Sequence, residues 1–228
     1  MPQIPTFIIP FRVASRQILS LPRQSHLALQ LYSTQSPGSS PKKSIQPPVP
    51  FFTTSIQPTR LEAIKEVEER KKNSICVFAD GSADSEGHIG AAAVHVVDNG
   101  KRCAFRVHLG RMAGNSSNIA YYPELYSAVV ALRLIANLYP PDRPAARPTI
   151  FMDCQQAIKA LSSTETEVHA YIRLWRRSLR RYYKLRPDGE PIHLAWAPSL
   201  SGMEAKYADA QAKLAAGGAN GLVASEAF

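Results

Sequence analysis

Cysteine is scarce: Cys76, Cys103 and Cys154 are the only three in a chain of 228 residues. An odd number set in apolar runs excludes a disulfide framework and offers no zinc-ligand spacing, and reads as reduced thiols in an intracellular protein. No apolar run comes near the ~20 residues that cross a bilayer, so no membrane partner is expected. Acid is missing altogether from the first sixty residues, which hold Arg12, Arg16, Arg23, Lys42, Lys43 and Arg60. The net charge of +9 is therefore mostly a property of that leader, because the other 21 cations face all 18 acids. Such a balance permits a nucleic-acid partner without requiring one. No internal repeat is visible, and a monomer is expected.

Composition divides the chain. Residues 1–50 are rich in Pro, Ser and Gln, as in QSPGSSPKKS and QPPVPFF, and read as a disordered leader. Their first part carries Arg and Ser without acid, which also suits a mitochondrial transit peptide, so nucleus or cytoplasm and mitochondrion both stay open. Residues 51–72 read as a linker with a short helix, in which Thr59 and Glu62 form a capping-box pattern. Leu61, Ile64 and Val67 give that helix a thin apolar stripe. Residues 73–216 carry the apolar fraction a core needs, and 217–228 read as a flexible tail.

Within 73–216 the runs NSICVFAD, GAAAVHVV and KRCAFRVHLG look like three strands. Turn signals separate them, including Asp98-Asn99-Gly100. A helix follows over 121–138, then a short strand TIFMD, a short helix CQQAIKALSS, a long helix HAYIRLWRRSLRRYYKL, a strand HLAWAPS and an Ala-rich helix 203–216 ended by glycines. An antiparallel three-strand meander followed by strand–helix units implies an α/β fold, with a five-stranded mixed sheet flanked by helices.

Four acids fall where such a frame could hold them: Asp80 and Asp153 after apolar strands, Glu124 in the first turns of a helix, and Asp209 in the last helix. If the first and fourth strands are parallel neighbours, Asp80 and Asp153 lie side by side at their carboxyl ends, where α/β sheets gather ligands. Clustered carboxylates resist ionisation unless a cation binds them, and hard divalent ions with oxygen ligands do so. Two such ions can clamp the attacking and leaving oxygens of a phosphodiester. Each acid also has a structural reading: a turn residue for Asp80, a dipole-favoured helix acid for Glu124, a helix cap for Asp153, an exposed helix residue for Asp209.

The four segments FADGS (78–82), PELYSAVVAL (123–132), IFMDCQQAIKAL (150–161) and WAPSLSGMEAKYADAQAK (196–213) resemble, in this order, the type 1 ribonuclease H family. The closest resemblance is to the C-terminal ribonuclease H domain of non-LTR (LINE-type) retrotransposon polyproteins, which also have Gly-Ala-Ala where Gly90-Ala91-Ala92 stand here. The resemblance implies a ribonuclease H-like fold. It also implies that Asp80, Glu124, Asp153 and Asp209 hold two Mg²⁺ or Mn²⁺ ions for cutting the RNA strand of an RNA–DNA hybrid. Gly81, Ser82 and Gln155 match family positions near the RNA strand. Selectivity for that strand needs contacts to 2′-hydroxyls.

Two features qualify this picture. The family's Trp-x-Pro-Gly-His-x-Gly loop reads Trp196-Ala197-Pro198-Ser199-Leu200-Ser201-Gly202, so Leu200 replaces its histidine, a group whose kind contributes ~10²–10⁴-fold in general acid–base work. A weakened enzyme and a degenerate, retroelement-derived nucleic-acid-binding domain are the two expectations. The long basic helix is read either as a solvated face or as a phosphate-tracking surface, with Arg176, Arg177 and Arg180 as substrate contacts. Trp175, on its other face, is expected in the core.

Overall fold

The computed structural model describes residues 52–96, 101–112, 119–142, 146–165, 169–187, 189–199 and 201–225. The leader 1–50, the Asp98-Asn99-Gly100 turn and Leu200 lie outside them. In chain order the elements are β1 (Thr53–Ser55), α1 (Arg60–Asn73), β2 (Cys76–Ala83), β3 (His88–Val96), β4 (Arg102–Arg111), α2 (Tyr121–Leu138), β5 (Thr149–Met152), α3 (Gln155–Ser162), α4 (Ala170–Leu185), β6 (His193–Trp196), α5 (Met203–Ala216) and β7 (Gly221–Ser225).

All seven strands join one mixed sheet in the order β1-β6-β5-β2-β3-β4-β7. Its middle is the expected five-stranded, ribonuclease H-like arrangement. β2, β3 and β4 form the antiparallel meander, and β5 runs parallel to β2, with β6 parallel to β5 beyond it. The two outer strands are the difference. β1, expected as linker, pairs in parallel with β6 in the register Thr53↔His193 to Ser55↔Ala195. β7, expected in a flexible tail, pairs antiparallel with β4.

Alternation along β2 decides what each face of the sheet carries. Val77 and Ala79 point into the larger core, with Leu125, Val129 and Leu132 of α2, Trp175 and Leu179 of α4, and Ile158 of α3. Trp175 is fully buried, as its place opposite the arginines implied. Cys76 and Phe78 point to the other face, where Phe78 stacks on Phe151 and α1 and α5 cover the sheet through Val67 and Ala208. The apolar stripe of α1 is Ala63 and Val67; Leu61, assigned to it from spacing, is 63% exposed. Small residues set the closest approaches. A Cβ on Gly90 would lie 2.2 Å from the Ala216 nitrogen, so the end of α5 rests directly on β3 there.

β1 and α1 are fastened by polar contacts. Glu66 accepts hydrogen bonds from Ser55 Oγ (2.6 Å), Gln57 Nε2 (2.8 Å) and Arg70 Nε (2.7 Å). His193 Nε2 sits 3.0 Å from Ser55 Oγ, while its Nδ1 meets Thr53 Oγ1. Lys71 ties α1 to α5 through Glu204 at 3.0 Å.

Candidate active site

Asp80 lies within β2, and this overturns the turn-residue reading: its neighbours pair with β3 on both sides (Ala79↔Ala93, Gly81↔Ala91). The β5 partner, however, ends at Ala79↔Met152. Beyond that point the β2 edge is open, and Asp153, the residue after β5, stands beside Asp80 as expected from parallel neighbours. Asp153 is not the cap of α3, a position held by Cys154. Its backbone carbonyl instead accepts from Trp196 Nε1 (3.0 Å), and its Oδ2 accepts from Ser199 Oγ (2.7 Å).

Glu124 is the fourth residue of α2 and reaches the same point over Gly81. A Cβ on Gly81 would sit 2.3 Å from the Glu124 nitrogen and 2.3 Å from the Pro123 carbonyl carbon. Only a glycine lets this first turn lie against β2 so closely. Pro123 is tolerated there because the N–H groups of a first helical turn lack helical partners.

Asp80, Glu124 and Asp153 each place one carboxylate oxygen within 4.8 Å of the others. Burial holds the Asp80 carboxyl in its protonated form up to about pH 7, helped by the charges of Asp153 and Asp209. Burial likewise pushes the Glu124 carboxyl well above its ordinary value, with Asp80 and Asp153 adding to the effect. The Gly81 N–H, aimed at both groups, works in the opposite direction. Asp80 and Glu124 also act on each other, and that contact draws the Asp80 carboxyl down while pushing Glu124 further up. Glu124 Oε2 is buried without a hydrogen-bond partner. A packed set of hard oxygen donors with an orphaned buried oxygen is what a divalent cation would satisfy.

Asp209 lines the same cleft, of about 230 Å³, with Phe78, Asp80, Asp153, Ser199 and Lys213. It is not one of the three clustered acids: its Oδ2 lies 2.8 Å from Lys213 Nζ, one turn further along α5. The Lys213 ammonium is held charged above its usual range by that hydrogen bond and by the Asp209 and Asp80 charges.

The remaining candidates fare differently. Ser82 follows Asp80 by two residues on the same side of β2, and Gln155 opens α3 two residues after Asp153. Gly81 is occupied with α2. Arg177 is exposed and Arg180 half-buried. Arg176 is buried and turned inward, donating to the carbonyls of Ser163 and Glu165, so it does not face a substrate. Read from the sequence as a substrate contact with Arg177 and Arg180, it is drawn in by the carbonyls of Ser163 and Glu165 after α3. Ser199 and Lys213 are the groups sequence reading missed. Ser199 stands where the family has glycine, and Lys213 is one helical turn from Asp209; both were visible as positions but not as partners.

No family model and no curated protein matches the sequence. Solved structures similar to this chain include the ribonuclease H1 of the halophilic archaeon Halobacterium salinarum, at 18% identity and TM-score 0.45, covering 64% of this chain and 98% of that one. The N-terminal RNase H domain of a Mycobacterium tuberculosis protein is similar at 19% identity and TM-score 0.44, over 63% and 95% of the two chains. LC11-RNase H1 in complex with an RNA/DNA hybrid is similar at 13% identity and TM-score 0.46, over 62% and 98%. At this level of similarity, function has to be read from the carboxylates themselves.

Proposed function

We propose that this chain is a divalent-metal-dependent endonuclease that cuts the RNA strand of an RNA–DNA hybrid. The observation that carries the reading is the convergence of Asp80, Glu124 and Asp153, with a buried oxygen of Glu124 left unpaired. These three acids would hold Mg²⁺ or Mn²⁺; a second ion would draw on Asp209 once it turned from Lys213. A divalent ion bound there supplies a Lewis acid for the phosphate oxygen and lowers the pKa of the attacking water.

The residues themselves bind and orient. β2 fixes Asp80, the end of the neighbouring β5 sets Asp153 beside it, Gly81 admits Glu124, and Ser199 holds the Asp153 carboxylate. In the hydrolysis, water oxygen bonds to phosphorus and the bond to the 3′ oxygen breaks, leaving 5′-phosphate and 3′-hydroxyl ends. Ser82 and Gln155, flanking the acids, are the proposed contacts to the RNA strand. The four sequence motifs support a kinship with the ribonuclease H domains of LINE-type elements, and the leader 1–50 remains a proposed disordered or targeting segment.

A second reading, a nucleic-acid-binding domain that no longer cuts, is favoured by one observation: Leu200 stands where the family keeps its loop histidine. An end-labelled hybrid incubated with the full chain and Mn²⁺ separates the two. Nicks in the RNA strand alone, lost in Asp80→Asn, support the enzyme. Cutting that persists in Asp80→Asn refutes the carboxylate assignment, and binding without cutting selects the second reading. Under the enzyme reading, Leu200→His raises the rate.

A further inference from the structure

Helix α4 contains six cations and no acid in sixteen residues. With Arg176 turned inward, the other five, Arg173, Arg177, Arg180, Arg181 and Lys184, recur at helical spacing on the side away from Ile172, Trp175 and Leu179. Four of the five are exposed and Arg180 is half-buried. No described carboxylate pairs with Arg177, Arg180, Arg181 or Lys184. Some helix cations elsewhere are paired, Arg70 with Glu66, Lys71 with Glu68 and Glu204, Lys213 with Asp209, and others such as Lys65, Lys72 and Lys159 pair with no described carboxylate; what sets α4 apart is that its cations run together with no acid among them. A face that only confers solubility interleaves both signs, whereas a stripe of one sign projects a field.

The stripe is joined to the carboxylate turn. Tyr122, two residues before Glu124 in the first turn of α2, stacks on His169, the N-cap of α4, at 4.4 Å between ring centroids and 20° between planes. Tyr171 meets both Tyr122 and Tyr126 edge-on. The start of α4 is thus fixed to the turn that carries Glu124, and the cations run away from it. From Arg173 to Lys184 the helix rises roughly 16 Å, enough to face several phosphates of a strand.

We propose that this face of α4 is a docking track for the sugar–phosphate backbone of a nucleic-acid duplex that continues out of the carboxylate cleft. The proposal rests on the hydrolase reading for what lies in the cleft; the charge complementarity of the track does not depend on cutting. It assigns Arg177, Arg180, Arg181 and Lys184 to phosphates, and removes Arg176 from that role.

The test measures hybrid binding over a range of salt, without divalent ions, in the full chain carrying Asp80→Asn so that the probe survives. Adding Arg177→Ala/Arg181→Ala/Lys184→Ala, all exposed positions, is expected to weaken binding about tenfold or more and to lower the slope of log K against log salt by about 2–3. The charge-matched control Lys65→Ala/Lys72→Ala/Arg147→Ala, on and beside α1, is expected to leave both unchanged. The proposal is overturned if the α4 triple binds with unaltered affinity and slope, if the control loses as much, or if the parent chain shows no hybrid binding. Binding that depends on α4 in a protein whose wild type never cuts keeps the track and sinks the hydrolase reading, so the two failures are distinguishable.

Discussion

Gly81 and Glu124 meet backbone against backbone: the hydrogen that stands in place of a Gly81 side chain faces the amide nitrogen of Glu124, and a methyl group there would be 2.3 Å from it. Gly81, which matches a family position near the RNA strand, here leaves room for α2. Gly81→Ala therefore has to push the start of α2 off β2. The expected cost is about 1–3 kcal/mol in a urea titration. Because Glu124 moves with that turn, Mn²⁺ binding followed by calorimetry should weaken as well. Ser82→Ala, one residue on and facing the other way, should leave stability near wild type. Equal effects of the two changes would refute the packing argument.

The crowding of Asp80 predicts how the metal-free protein responds to pH. The folded value, about 7, lies above the ordinary 3.8 of an unfolded chain. Between these values the folded state holds a proton that the unfolded state has lost. The contribution to stability is thus complete below about pH 4 and disappears as pH rises through about 7. Glu124, raised for the same reasons, adds in the same direction. In EDTA, Asp80→Asn should melt higher than wild type at pH 8 and close to it at pH 4, while losing all cutting. A lower melting temperature for the variant at pH 8 would contradict the crowding.

Ser199 makes a narrower claim. Its hydroxyl donates to Asp153 Oδ2 at 2.7 Å, and its carbonyl accepts from Arg60 Nη2 at 3.2 Å, linking the site to α1. Partners that orient a metal-binding carboxylate are typically worth ~10–100-fold in metal affinity. Ser199→Ala should weaken Mn²⁺ binding by about tenfold with no change in unfolding midpoint in EDTA. Unchanged affinity would make the contact incidental.

Much of this site can be read from sequence because strands and helices announce themselves by period. The apolar runs before Asp80 and Asp153, and the helical period around Glu124, mark in the sequence the elements that carry these three acids. What stayed hidden has a common physical cause. β1 is three polar residues, Thr53, Thr54 and Ser55, and carries no apolar alternation; its pairing is held by His193 and Glu66, far away in sequence or on another element. β7 follows two glycines and is recruited by the open edge of β4. Arg176 obeys the helical period in its backbone and departs from it only in its side chain. Long-range polar contacts leave no periodic trace.

The β1 fastening is itself testable. Glu66→Ala removes the acceptor shared by Ser55, Gln57 and Arg70, and should cost about 1–3 kcal/mol. Amide exchange at Thr53–Ser55 should accelerate with it, while β2 and β5 stay protected. Uniform acceleration across the sheet would mean that β1 is integral to the global unfolding unit, and no change would mean that Glu66 does not hold it.

Asp209 is where the four acids should stop behaving alike. Asp80, Glu124 and Asp153 converge, whereas Asp209 is half-exposed and spends its charge on Lys213. An exposed pair of this kind contributes little, so Asp209→Asn should leave folding stability within experimental error and weaken the first Mn²⁺ by no more than about threefold. Asp80→Asn or Asp153→Asn should remove that ion. Calorimetric titration of the three variants checks the order. If Asp209→Asn abolishes the first ion as completely as Asp153→Asn does, the carboxylate must leave Lys213 on metal binding, and the cluster is one of four acids.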